Sequence, residues 1–312
     1  MPKYKIIANP TAGAGTAGGR IAEIERTLSD LGLDFDIECT AEPWHAAGLA
    51  RKAAEAGYEV VVAMGGDGTA NEVLNGVMRA REDGGASAAV GVLAVGTGND
   101  FAYGVRVPGD VVEGCQALAD GYRRTIDVGR VTGGLYPEGR YFGNGVGIGF
   151  DAAAGFEAAK LKRLRGFLRY LVAALRTIFL YYKAPKVLIE YGDQSFRQSA
   201  LLVAVMNGQR VGGGFMMAPD AVPDDGLFDL CIARQVSRLR ILALLPHFMK
   251  GSQATQEPVS TARAAHVAVT ALEGVLPAHA DGETLCYEGE RLEMELLPRV
   301  LEIICRAPES GE

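Results

Sequence analysis

The chain has few cysteines and they are badly placed for cross-linking. Cys39, Cys115, Cys231, Cys286 and Cys305 are far apart, odd in number and never spaced as CxxC. That argues against a disulfide framework or a zinc ribbon and for small buried thiols in a reduced cytosolic protein. Positive charge is also short. The formal net charge is −7, whereas chain-wide nucleic-acid binders are usually basic, so no nucleic-acid partner is expected. No run of about 18 apolar residues occurs, so no membrane-spanning helix is expected. The start, Met1-Pro2-Lys3-Tyr4, leads into only a short apolar run, unlike a secretory signal. Internal repeats and low-complexity tracts are missing too. So are the GxxxxGK[ST] phosphate loop and the HRD set of protein kinases. The nearest approach to GxGxxG, Gly145-Val146-Gly147-Ile148-Gly149, has the wrong spacing and no βαβ context, which argues against a dinucleotide site.

What the chain has in excess is glycine. Its 41 glycines among 312 residues are nearly twice the usual share, and they cluster beside hydrophobic runs. Such bursts are either tight turns or loops that approach a ligand closely. The length suits two domains. In the first third, strand signals at 5–8, 35–39, 60–64 and 91–95 alternate with helical periodicity at 20–31, 46–56 and 71–81. That alternation predicts right-handed crossovers and a doubly wound, mostly parallel sheet, with ligands at the carboxyl ends of its strands. Near Thr125 the pattern changes to short strands separated by turns, at 141–142, 187–191, 201–205, 227–232, 266–270, 292–297 and 300–304. These predict a mainly antiparallel β-sandwich. One long helix, about 158–182, interrupts them. The expected division is an α/β domain over 1–125, to which 298–312 return, and a β-rich domain over 126–297.

Three glycine loops follow strand ends. In VVVAMGGDGTAN, residues 60–71, a buried strand gives way to two glycines, an acid, a glycine and a hydroxyl before a helix begins. Glycines let amides converge on phosphate oxygens, and the helix start offers free N–H groups and a favourable dipole. Asp67 would repel a phosphate unless a magnesium ion lay between them; as a plain turn, the loop would use Asp67 as an N-cap. Residues 95–102, VGTGNDFA, and residues 9–15, NPTAGAG, are each weak alone and read equally well as capped turns.

Together, NPxxGxG, GGDGTxNE and GTGNDFA, in this order and near these spacings, resemble the diacylglycerol kinase catalytic family. That family includes bacterial soluble lipid kinases, sphingosine kinases and ceramide kinases and is distantly similar to NAD kinases. The resemblance runs from Lys5 to about Leu285. It takes in Thr40 to Ala46, Ile126 to Gly129, Gly145 to Ala152, Pro219 to Leu227 and Asp281-Gly282-Glu283. It implies an ATP- and Mg2+-dependent lipid kinase. It implies nucleotide contacts at Asn9, Pro10, Thr11, Ala12, Gly13, Thr40, Gly65, Gly66, Asp67, Gly68, Thr69, Ala70, Asn71 and Thr97. Ala12 stands where many members carry serine, leaving backbone amides to supply that contact. The resemblance further implies a catalytic base at Glu283, with Asp281 as rival. A structural magnesium would lie on the Asp225 carboxylate and the carbonyls of Val222 and Leu227. A magnesium–water network would involve Asp67 and Asp127. His279, two residues before Asp281, could pair with it on a metal, but such a pair is more often packing and receives no role. Diacylglycerol is the leading substrate. Another lipid (phosphatidylglycerol or a sphingoid base) and a non-catalytic nucleotide-binding regulator are the alternatives, and Glu283 discriminates the regulator.

A lipid substrate raises the question of how the chain reaches a membrane. Leu161, Leu164, Leu168, Leu171, Leu175, Ile178 and Tyr182 form one apolar stripe at helical spacing. Lys162, Arg165, Arg169, Arg176 and Lys183 form a neighbouring basic stripe, and no acid occurs between Glu157 and Glu190. The expectation is a cytoplasmic protein that docks peripherally on an anionic membrane through this helix. The competing reading packs the apolar stripe on the β domain and leaves the basic stripe in water. Gly212 to Met217 either borders an acyl entrance or is ordinary core, and a homodimer stays open.

Overall fold

The computed structural model describes residues 3–161, 164, 166–180 and 184–308. Lys162, Arg165, Tyr182 and Lys183 lie outside the described residues. The chain divides into two compact units, residues 1–126 with 299–312, and residues 127–298.

The first unit is an α/β layer structure. Its strands are β1 (Lys3–Ala8), β2 (Asp34–Cys39), β3 (Val60–Gly65) and β4 (Ala89–Ala94). The order is β2-β1-β3-β4, all parallel. A returning C-terminal strand adds at the β4 edge, pairing Ile303 with Val90 in parallel. The helices are α1 (Ala12–Gly15), α2 (Ile21–Asp30), α3 (His45–Glu55), α4 (Asp67–Gly84), α5 (Asp100–Gly104) and α6 (Val111–Asp120). β3 and β4 are buried along their whole length, as continuous apolar runs covered on both faces must be. Ile24 and Leu28 of α2 and Val111, Cys115 and Leu118 of α6 join Tyr4, Ile6, Val60, Val62 and Met64 in one core. The alternate residues Ile7, Val61 and Ala63 are fully buried on the other face, since side chains alternate across a strand. Helices α3 and α4 approach closely because Gly76 has no Cβ; one added there would lie 2.3 Å from the Ala47 carbonyl oxygen. Asp110 caps α6 by accepting from Val112 and Glu113 N–H, and Gly121 ends it in the left-handed conformation.

The second unit is an antiparallel sandwich with helices outside it. Its elements run β5 (Arg123–Gly133), β6 (Tyr136–Phe142), β7 (Gly145–Gly149), α7 (Phe150–Lys160), α8 (Gly166–Leu180), β8 (Lys186–Tyr191) and β9 (Gln194–Met206). They continue with β10 (Arg210–Val211), β11 (Phe215–Met216), β12 (Phe228–Arg234), α9 (Arg238–Lys250), β13 (Val259–Ala264), β14 (His266–Glu273), β15 (Leu276–Ala280), β16 (Glu283–Gly289) and β17 (Arg291–Ile304), whose residues from Arg299 on are the returning strand of the first unit. One sheet is ordered β16-β15-β7-β9-β12-β13. The other runs β9-β8-β14-β17, with the β5–β6 hairpin added through β5. The long strand β9 serves both sheets. Phe142, Val146, Val187, Val205, Phe228, Val267 and Leu292 fill the space between them, and Phe142 stacks on Phe228 at 5.5 Å. Residues on the opposite face of β9 and β12, including Ala204, Met206 and Cys231, pack with Ile178 of α8 and Ile241 and Leu244 of α9.

The expected long helix is two helices. α7 ends at Lys160 and α8 begins at Gly166, and Gly166 has a left-handed φ of 58°, which breaks helical continuity. The single apolar stripe also divides. Leu171 and Ile178 pack inward, with Phe167, Tyr170 and Ala174. Leu168, Leu175 and Phe179 face outward at 54%, 37% and 62% exposure. The expected strands at 292–297 and 300–304 are one strand, β17. Phe215 and Met217 of the 212–217 segment are core.

Candidate active site

Parallel register brings the strand-end loops of the first unit to one edge. Ala8 pairs with Cys39 and with Met64, and Gly65 pairs with Ala94. The segments that follow, residues 9–13, Thr40, residues 65–71 and Thr97, therefore leave the sheet side by side. Asn9 ties two of them together. Its amide nitrogen donates to the Thr69 hydroxyl at 3.1 Å, and its Oδ1 accepts from the Thr11 N–H at 3.0 Å and the Thr11 hydroxyl at 2.7 Å. Thr40 N–H donates to the Ala8 carbonyl at 2.8 Å. Pro10 accepts from Gly18 N–H and Ala12 N–H donates to the Asn9 carbonyl, so the 9–18 segment curls into short helical turns. Gly13, at φ 60°, lies against the Val95 carbonyl where a Cβ would approach to 2.5 Å. Thr97 is exposed.

The GGDGT segment differs from expectation at its helix start. α4 begins at Asp67 itself, and Gly66 is the N-cap, with no side-chain cap bond. Asp67 is thus a first-turn acid, where the helix dipole favours a negative charge. Its Oδ1 accepts from the Phe101 N–H at 3.1 Å, which draws the 95–102 loop onto it. Thr69, Ala70 and Asn71 are buried, and Asn71 accepts from the Asn75 side chain at 3.2 Å. Glycine is needed here for close packing. A Cβ on Gly65 would lie 2.3 Å from the Thr69 hydroxyl oxygen, and one on Gly96 would lie 2.3 Å from the Gly66 Cα. Gly68 completes the first turn of α4.

The carboxylates of this edge suit a hard cation. A Cβ on Gly98 would meet Asp67 Oδ2 at 2.9 Å and Asp100 Oδ2 at 3.3 Å, so glycine leaves a cradle beside two acidic oxygens. Magnesium prefers such oxygen donors and completes its shell with phosphate and water. Among the described residues no group of three or more His, Cys, Asp and Glu side chains forms a ready-made metal cage. The second expected cation position fits poorly. Val222, Asp225 and Leu227 do share one turn, but the Asp225 carboxylate already accepts from Leu227 N–H at 3.1 Å and is ion-paired with Arg263. A metal there would have to displace the guanidinium. Asp127 is fully buried; its Oδ2 accepts from Gly226 N–H at 2.8 Å, and its amide donates to the Pro223 carbonyl at 2.7 Å. Asp127 thereby holds the same turn. Burial, together with Asp225 and Asp220, raises the neighbouring Asp229 carboxyl above its ordinary pKa although Arg263 opposes this.

Asp281 and Glu283 are separated by the backbone geometry. Ala280 pairs with Glu283 across a two-residue hairpin turn whose central residues, Asp281 and Gly282, have φ of 48° and 84°. Paired positive φ values at Asp-Gly are the mark of a type I′ turn. The buried Asp281 carboxylate accepts from Gly143 N–H at 2.8 Å, Asn144 N–H at 3.0 Å and Gly145 N–H at 2.9 Å. Glu283 is half-buried, and its carboxylate has no hydrogen bond or ion pair to any described residue. Of the two rivals, only Glu283 keeps its oxygens available. Sequence reading passed over Asp100, Arg263 and Asn207, whose side-chain amide bridges the Asp127 and Gly143 carbonyls at 3.0 and 2.9 Å. Asp100 was readable as part of GTGNDFA; nothing local distinguished the other two.

Two domain families match consecutive stretches of the chain. The diacylglycerol kinase catalytic domain matches residues 3–131, and the YegS C-terminal NAD kinase beta sandwich-like domain matches residues 144–305. A catalytic α/β domain of that kind followed by such a sandwich defines the class, an ATP-dependent lipid kinase. A Yersinia pestis protein named "Probable lipid kinase YegS-like" is 30% identical over 310 residues, covering 99% of this chain and 98% of its own. The diacylglycerol kinase of Bacillus subtilis is 29% identical over 285 residues, covering 91% and 90%. A crystal structure of a diacylglycerol kinase from Bacillus anthracis superposes with a TM-score of 0.75 at 22% identity, covering 97% of each chain, and shares the fold. The chain belongs to the YegS-like lipid kinase family.

Proposed function

We propose that this protein transfers the γ-phosphate of ATP to the free hydroxyl of diacylglycerol, giving phosphatidic acid. The observation that carries the reading is the meeting of three glycine loops at the carboxyl edge of one parallel sheet, the place where open α/β sheets bind ligands. Residues 9–13, Thr40, residues 65–71 and Thr97 would hold the nucleotide, mainly through backbone N–H groups, since the side chains of Thr69, Ala70 and Asn71 are buried. Asp67, with Asp100 beside it, would hold Mg2+. When bound, that ion supplies neutralisation of phosphate charge. Phosphoryl transfer asks a protein for positioning and charge compensation more than for covalent chemistry. Glu283 would accept the proton of the attacking hydroxyl, and its uncommitted carboxylate supports that role. Asp281 fixes the hairpin turn next to it through the amides of residues 143–145, and Asp127 holds the 223–226 turn. At Asp225 the Arg263 guanidinium already neutralises the carboxylate and takes the place of a structural cation.

Diacylglycerol as the acceptor is supported by relatives named for that substrate. The outward apolar row Leu168, Leu175 and Phe179 of α8 supports docking on an anionic bilayer. The segment between Glu157 and Glu190 contains no acid and several lysines and arginines, and basic segments near an anionic leaflet gain about 1 kcal/mol per charge. Glu283→Gln tests the base. Turnover is expected to fall by about 10²–10⁴-fold, the usual contribution of a general base, with ATP affinity unchanged. Unchanged turnover would remove Glu283 from the reaction.

A further inference from the structure

One buried ion-pair candidate has no part in the chemistry just described. His279, on β15, and Asp151, in the first turn of α7, are both almost wholly inside the second unit, with side chains 9% and 11% exposed. His279 Nε2 lies 3.1 Å from Asp151 Oδ2. On the other side of the ring, the Gly282 N–H donates to Nδ1 at 3.2 Å. The imidazole therefore spans from the helix start to the centre of the hairpin turn, one residue before Glu283.

The surroundings are built for this pair. A Cβ on Gly147 would lie 2.0 Å from Asp151 Oδ2 and 2.5 Å from His279 Nε2. Only glycine leaves room for the pair to lie across β7, which accounts for one glycine of the Gly145-Val146-Gly147-Ile148-Gly149 segment. Burial disfavours a charged imidazole at His279, while Asp151, Asp281 and Glu283 favour one, and the net direction is upward. The Gly282 N–H nevertheless needs an unprotonated Nδ1, which selects the ring with its proton on Nε2 directed at Asp151. The turn is thus held from both sides. Asp281 is gripped by three amides of residues 143–145, and Gly282 is gripped by His279.

We propose that His279, oriented by Asp151, is a positioning residue that fixes the Asp281–Gly282 turn and so aims the Glu283 carboxylate. This inference rests on Glu283 being the base. A carboxylate on a turn loosened by even about an ångström loses much of its effect, because general-base catalysis requires hydrogen-bond reach. The mechanism acts through one ring nitrogen, so the two amide side chains separate it from simple packing. Asn offers its Oδ1 where Nδ1 stands, whereas Gln offers its amide nitrogen where Nε2 stands.

A double-mutant cycle on the full chain tests the inference. His279→Ala is expected to lower kcat about tenfold with little change in KM for ATP, and to change kcat less than about twofold when Glu283 is already Gln, since residues that act as a unit are non-additive. His279→Asn is expected to recover most of the lost kcat and His279→Gln little of it, all variants being checked for native thermal unfolding. An equal loss from His279→Ala in both backgrounds would overturn the inference while leaving Glu283 as the base. Retained turnover in Glu283→Gln alone would instead overturn the base. If His279→Ala does not fold, equal kcat in the Asn and Gln variants overturns the inference.

Discussion

Three backbone amides converge on the Asp281 carboxylate, while the Glu283 carboxylate two residues later has none among the described residues. The difference comes from a two-residue turn. Asp281 tolerates a positive φ better than most residues because its short side chain can bond locally, and here it bonds across to residues 143–145. The sequence Asp-Gly signalled the turn, but which acid the fold consumes depends on strand pairing between β7 and β15, which no local pattern records. Single residues also account for the cysteines. Burial pushes the Cys115 thiol up to about 11 and the Cys231 thiol up to about 12, and raises Cys286 and Cys305 as well. The thiolate is the reactive form, so at pH 8 these four stay protonated, whereas Cys39 is exposed. Native protein titrated with a thiol reagent is expected to show one fast-reacting group, with the other four released on denaturation. Two or more fast thiols would contradict the packing described for α6 and β12.

At the scale of elements, periodicity was a good guide wherever burial was uniform. β3 and β4 read directly from their unbroken apolar runs, and the loop after each strand followed. The misreadings have physical causes. α9 was hidden by Pro246 inside its apolar pattern, although Ser237 caps it and Gly251 ends it. α6 was passed over although Asp110 and Gly121 mark both of its ends. The long helix split at Gly166, where the chain takes a conformation that one glycine makes cheap. Its basic stripe is less free than composition implied. Arg169 donates to the Ala158 carbonyl at 2.6 Å, at the end of α7, and Arg176 pairs with Glu157 at 3.6 Å. The outward apolar row is therefore the better test of membrane docking. Leu168→Gln with Phe179→Gln is expected to reduce sedimentation with anionic vesicles at least about fivefold, on the order of the transfer energy of two partly buried apolar side chains. Native unfolding should be retained, since neither side chain belongs to the core. Unchanged vesicle binding would exclude this face. Among the described residues no helix is long and apolar enough to cross a membrane.

The two units have contrasting architectures, each suited to the role proposed for it. A parallel sheet gathers strand-end loops at one edge, which suits a nucleotide. An antiparallel sandwich can hold a tight hairpin rigidly, which suits a base that must be aimed. The α/β character of the first unit and the antiparallel character of the second were both legible from hydrophobic period. In the GGDGT loop the glycines also serve local packing: Gly65 leaves room for the Thr69 side chain, Gly96 lies against the Gly66 backbone, and Asp67 opens the helix. At Asp225 the ion pair comes from a residue far away in sequence, Arg263, which local reading could not supply. The central claim, phosphate transfer from ATP to a lipid hydroxyl, is tested most directly by incubating the purified chain with γ-labelled ATP, Mg2+ and a panel of lipids. The panel should include diacylglycerol, phosphatidylglycerol and a sphingoid base. The account predicts labelled phosphatidic acid from diacylglycerol, and none when Mg2+ is chelated. Bound ATP with no lipid labelled would contradict it.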